Sequence, residues 1–143
     1  MDGKQKIESG FIIKNIILVE SNFSRVNNVV FDSPKNNINI NVNVAVANNI
    51  ITVEETIDLV QKHGDNEQMK FHVKMVGIFE KIGESELNDL DKFGRINGAS
   101  IIYPYIREHI TSVTLKAGVG AVLLPPVNFT NQVVEKQINK ESN

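Results

Sequence analysis

The chain has 143 residues, 41% of them hydrophobic, with 15 basic and 17 acidic side chains and a formal net charge of -2. Charges of both signs are interspersed, so there is no basic footprint for nucleic acid and no cationic face for a membrane surface. The absence of cysteine excludes disulfides, thiolate catalysis and cysteine-ligated zinc, and no apolar run approaches the ~18 residues that a membrane span requires.

The opening MDGKQKIESG lacks the apolar stretch of a secretory signal, so residues 1–10 are expected as a flexible lead on a cytoplasmic protein. Phe11 to about Ser24 predicts the first strand, with Phe11, Ile13, Asn15, Ile17 and Val19 on one face and Ile12, Ile16 and Leu18 on the other. Arg25 to Asn37, containing Asp32-Ser33-Pro34, is long enough to cross over rather than turn back. The clearest alternation follows: Ile38, Ile40, Val42, Val44 and Val46 are separated by Asn39, Asn41, Asn43 and Ala45. That period of two gathers β-branched residues on one side of a second strand.

Asn48-Asn49 supplies a turn, and Ile51, Val53, Ile57 and Leu59 alternate with polar residues as a third strand whose apolar face Glu55 interrupts. His63-Gly64-Asp65-Asn66 predicts the next turn, and Met69 to Phe79 a fourth strand, with Phe71, Val73 and Met75 opposite Lys70, His72 and Lys74. Ser85 to Phe93 is acidic and predicts a short helical connector with Ser85 near its N-cap. A longer helix should begin between Ala99 and Tyr103, because Pro104 costs least near a helix start, and should stop at Gly118 and Gly120. Its stripe is Ile102, Ile106, Ile110 and Val113. Thr130 to Ile138 is expected as a last helix, and residues 139–143 as a loose polar tail. Strands followed by helices predict one α+β domain over residues 11–138: a four-stranded antiparallel Greek-key sheet with helices packed on one face.

Candidate catalytic chemistry is sparse. His63, His72 and His109 have no ligand spacing, and Glu108 and His109 point about 100° apart on a helix, so they cannot orient one another. Glu84, Glu86, Asp89 and Asp91 lack the loop spacing of a calcium site, and Gly118-x-Gly120 follows a helix rather than a strand. Neither metal, cofactor nor enzymatic activity is expected. From the residues alone, the apolar faces of the second and fourth strands are a sheet face covered by the chain's own helix.

The run PYIREHITS, a glycine-containing bend, and LPPVNF together resemble the signature region of the SecB export-chaperone family. Tyr105, Arg107 and Glu108 stand in the matching helix, Pro126-Val127-Asn128-Phe129 match the later element, and Gly77-Ile78-Phe79 is a weaker match. The likeness extends from about Phe11 to Val134. It implies a nucleotide-independent holdase that receives unfolded or precursor polypeptide in apolar grooves formed by Ile38, Ile40, Val42, Phe71, Val73, Met75 and Val133. It also implies a homotetramer, a dimer of dimers. In the family, acidic residues on the open sheet face dock the SecA motor; Glu20 matches one such position, whereas Ser24 and Lys74 stand where carboxylates are found. A chaperone dedicated to one client, such as an antitoxin, is the alternative within the family. A small α+β binding module or enzyme, with Gly118 to Pro126 as a lid, is the alternative outside it.

Overall fold

The computed structural model describes residues 5–7, 10–82, 89–130 and 138–142. The sheet is antiparallel throughout, with strands β1 (Gln5–Ile7), β2 (Phe11–Arg25), β3 (Lys35–Ala47), β4 (Ile50–His63), β5 (Asn66–Lys81) and β6 (Ile138–Ser142) in the order β1-β2-β5-β4-β3-β6. The four long strands are the expected Greek key: β3, β4 and β5 are successive hairpins, and β2 reaches β5 across the long loop. Both hairpins turn in two residues, Asn48-Asn49 and Gly64-Asp65, with Asn48 at φ 55° and Gly64 at φ 62°.

The strands outrun their apolar alternation because amides replace aliphatic side chains at their ends. Buried Gln68 donates to Gln61, which donates to Asn36; Gln68 also bonds both the N–H and the carbonyl of Val30. A side chain thus supplies the pairing that a neighbouring strand would give, and it fixes the crossing loop.

Two corrections concern β2. Its register with β5 slips between Ile13 and Asn15 and again between Leu18 and Glu20, so Lys14 and Val19 are bulged residues. Each bulge inverts the parity. The side sharing Phe79, Gly77, Met75 and Phe71 of β5 therefore carries Ile13, Ile16, Leu18 and Phe23, whereas Asn15 and Ile17 face the other way.

The helical part is continuous: α1 (Leu90–Phe93), a π-helical turn (Gly94–Gly98) and α2 (Ala99–Lys116). Its N-cap is Asp89, whose carboxylate accepts the Lys92 N–H at 2.9 Å; Ser85 lies outside the described residues. Pro104 therefore sits well inside a long helix, not at its start. The preceding turns pack closely on the sheet because they lack side chains at two points. A Cβ on Gly94 would stand 2.8 Å from Val44, and one on Gly98 2.9 Å from Val53. Ile102, Ile106 and Ile110 are fully buried as expected, joined by Tyr103 and Thr114.

The helix ends in a Schellman motif. Gly118, at φ 72°, donates to Leu115, and Val119 donates to Thr114. Arg25, at the end of β2, donates to the exposed Ala117 carbonyl and places its charge on the negative end of the helix. The chain then runs back along the helix. Tyr103 donates to the Pro125 carbonyl, Thr111 to the Val122 carbonyl, and Phe129 meets the Tyr103 ring edge-on. Of the predicted last helix, residues 131–137 lie outside the described part, and Ile138 belongs to a strand. The expected loose tail is β6, paired with Asn36 to Ile40 of β3, where it satisfies edge backbone groups.

Candidate polypeptide-binding surface

The covered face of the sheet takes Ile38, Ile40, Val42, Val44 and Val46 from β3, alternate residues Ile51 to Leu59 from β4, and Met69 to Phe79 from β5. Among the described residues one helix lies on it. Ile38, Ile40, Phe71 and Val73 are no more than 2% exposed, and Val42 and Met75 reach only 9% and 8%. In the single chain these six candidates build core rather than an open groove, as expected of a face beneath the chain's own helix. Val133 lies outside the described residues.

A single helix about 10 Å wide cannot cover four strands spaced about 4.8 Å apart, so apolar margins remain on both sides of it. On the β2 side Leu18 is 42% exposed, with Ile16 and Phe23 half-buried; on the β3 side Val46 is 42% exposed. Across the sheet, Val42, Glu55, Met75 and Leu18 form one row from margin to margin.

Glu55 is the anomaly in that row. It is fully buried, neither carboxylate oxygen has a hydrogen-bond partner among the described residues, and burial pushes its pKa well above the usual value, favouring the neutral carboxyl. Its neighbour Tyr103 is pushed up to about 12, chiefly by burial.

A second apolar surface lies where the returning segment flanks the helix. Pro104, Thr111, Leu115, Leu123 and Leu124 line a groove of about 570 Å³, edged by Arg107 and Glu108. Leu123 is 75% exposed and Leu115 is also exposed. Neither was singled out from sequence. The legible signal was Leu123-Leu124 itself, because successive residues of an extended segment face opposite ways and one of the two must face outward.

The opposite face of the sheet is apolar at one end, at Ile17, Val76 and Ile78, and polar and internally paired at the other. Glu20, Ser24 and Lys74 all lie on it. Glu20 accepts from His72 at 2.6 Å, Asp58 bonds the other imidazole nitrogen at 2.7 Å, and Lys74 pairs with Glu54 at 3.5 Å. His72 is thus bridged rather than isolated. The bonds to Glu20 and then Asp58 raise its pKa, and the His72 bond lowers that of Glu20. His109 makes an unrelated bond to Ser21 at 2.8 Å.

Raised folded pKa means that the His72 contribution to stability is fully present below its ordinary value of 6.5 and is lost as pH rises through the folded value. His72→Gln should therefore be more destabilising at pH 5.5 than at pH 8.5, as urea titrations of both proteins at the two pH values would reveal. Equal differences at both pH values would refute the bridge.

Among the described residues no cluster of His, Asp and Glu forms a metal site, and no helix is long and apolar enough to cross a membrane. A Greek-key sheet, one long helix and apolar margins left beside it define a small α+β protein suited to holding extended apolar chain. The family model for preprotein translocase subunit SecB matches residues 5–140, and the chain belongs to the SecB family. The chain is 26% identical to protein-export protein SecB of Nitrosococcus oceani, over 97% of this chain and 88% of that protein. It is 30% identical to SecB of Hahella chejuensis, over 83% and 77%. An uncharacterised protein of Methanocaldococcus jannaschii is 26% identical over 94% and 86%. Among solved structures, the Mycobacterium tuberculosis SecB-like chaperone in complex with a peptide from the HigA1 antitoxin superposes with a TM-score of 0.72 at 14% identity, covering 82% of this chain and 91% of that one. This is a chaperone family, not an enzyme family.

Proposed function

We propose that this protein is a nucleotide-independent cytoplasmic holdase that keeps non-native polypeptides extended and unaggregated. The observation that carries this reading is the apolar margin on each side of the helix, at Leu18 and at Val46, with Val42 and Met75 at the inner limits of those margins. Burying each such side chain against a client is worth up to ~1.5–3 kcal/mol, and several weak sites engaged together give useful affinity without any covalent step. Assembly into a homotetramer would multiply the sites. The exposed Leu115 and Leu123 beside the helix are suited to contact between subunits. Light scattering of a diluted, denatured protein tests the proposal: stoichiometric chaperone should suppress aggregation without added nucleotide, and no suppression would sink it.

Which clients are held is a separate matter. Handover to SecA needs an open acidic surface, and here Glu20 is engaged by His72 while Lys74 adds a positive charge beside it. That favours a chaperone dedicated to a particular client, such as an antitoxin, over a general export factor. For SecA we expect weak binding that Lys74→Glu strengthens by about tenfold, the scale of one reversed charge contact. Calorimetry finding tight binding by the wild type would remove the distinction.

A further inference from the structure

β3 is paired with β4 along its whole length, but on its other edge only Asn36 to Ile40 are paired, by β6. Asn41 to Ala47 have no strand on that side among the described residues. An open edge presents N–H and C=O groups at strand spacing and is a template for any extended chain.

Two observations specify the occupant. The edge already holds an extended segment of five residues, Ile138–Ser142, which shows that its backbone accepts a strand. Along the open part, the inward side chains Val42, Val44 and Val46 become more exposed toward the turn, reaching 42% at Val46, while Asn41, Asn43 and Ala45 face outward. A strand added there sets alternate side chains beside the valines and the others among asparagine and alanine. The edge therefore fits a segment that alternates apolar with small polar residues.

We propose that β3 is a peptide-accepting edge and that β6 is its built-in occupant, displaced when an extended client segment pairs along Asn36 to Ala47. The inference rests on the holdase reading and adds where the client's backbone goes. A client covering the whole strand uses more than twice the ladder that β6 uses and also covers the valines. β6, held nearby by its tether, closes part of the edge when no client is present and limits its pairing with other copies.

The test uses the full chain and a fluorescein-labelled peptide of roughly twelve residues alternating valine and serine, long enough to span β3 at ~3.3 Å per residue. Two variants release β6: a chain ending at Gln137, and the double substitution Asn139→Pro, Lys140→Pro, which removes a donor whichever residue faces β3. Both should bind the peptide about tenfold more tightly or better, since a tethered competitor is gone. Hydrogen exchange on the wild type should show peptide protecting Asn41 to Ala47 and exposing Asn139 to Ser142.

Unchanged affinity with no new protection on β3, while a denatured client is still kept from aggregating, would overturn this inference and leave the holdase reading standing. Loss of both peptide binding and aggregation suppression would overturn the two together. If the released variants dimerise through β3 without taking peptide, the edge belongs to a second copy and the proposal is wrong.

Discussion

Replacing Phe93 by alanine should lower the unfolding free energy by about 3–5 kcal/mol, the range for deleting a buried aromatic ring. Phe93 is buried and stacks on Phe11 with centroids 3.7 Å apart, and Phe79 meets it edge-on at 5.8 Å. It therefore ties the first helical turn to the start of β2 and the end of β5. Its loss leaves a cavity that two rigid strands cannot collapse to fill. Urea unfolding followed by circular dichroism, at fixed protein concentration, would show a midpoint displaced to lower urea at an unchanged slope. A shift worth less than about 1 kcal/mol would mean that the three rings are not the anchor described.

Replacing Glu55 by methionine should act in the opposite direction, raising stability by about 1–3 kcal/mol, the penalty for burying a polar group without a partner. The two side chains are similar in length, and methionine adapts to an irregular site. The effect depends on pH in a defined sense. With its pKa raised in the folded state, Glu55 carries only the cost of a buried neutral carboxyl, and no ionisation penalty, below its ordinary value of 4.5, where it is protonated folded and unfolded alike. As pH rises from there toward the folded value, the unfolded chain ionises first and stability is lost. The gap between variant and wild type should thus widen from pH 4 to pH 8 in paired thermal melts. A gap independent of pH, or a less stable variant, would show that the carboxyl has a partner.

The long strands were legible because their signal is local. Asn-Ile-Asn-Ile-Asn-Val states period two without any knowledge of neighbours, and Asn48-Asn49 and Gly64-Asp65 state the turns. The helix stripe was legible for the same reason. What escaped depends on partners. Lys14 and Val19 are bulged only because of how β2 meets β5, so their effect on parity has no signature in β2 alone.

Gly94 and Gly98 each disfavour a helix by about 1 kcal/mol, yet the helix passes through both, since the close approach to Val44, Ile51 and Val53 outweighs propensity. Pairing of the C-terminal residues with β3 is likewise a long-range event. Ile38, Ile40, Val42, Phe71, Val73 and Met75 share the face of the sheet beneath the helix, as their alternation implied. How much of each the helix leaves open could be read only once the helix was in position, and Leu18 and Val46 then took the exposed places.

The two bulges of β2 have a consequence for a protein that handles sticky chains. A regular strand offers a uniform rail along which any flat segment can dock and slide by two residues at a time. β2 instead carries an extra residue at Lys14 and again at Val19, so it is regular only in pieces, Asn15 to Leu18 and Glu20 to Arg25. Its outer side works like a notched key: a partner strand must carry matching kinks to lie along it. A strand without such kinks pairs along only one piece of this flank at a time, which disfavours edge-to-edge stacking there.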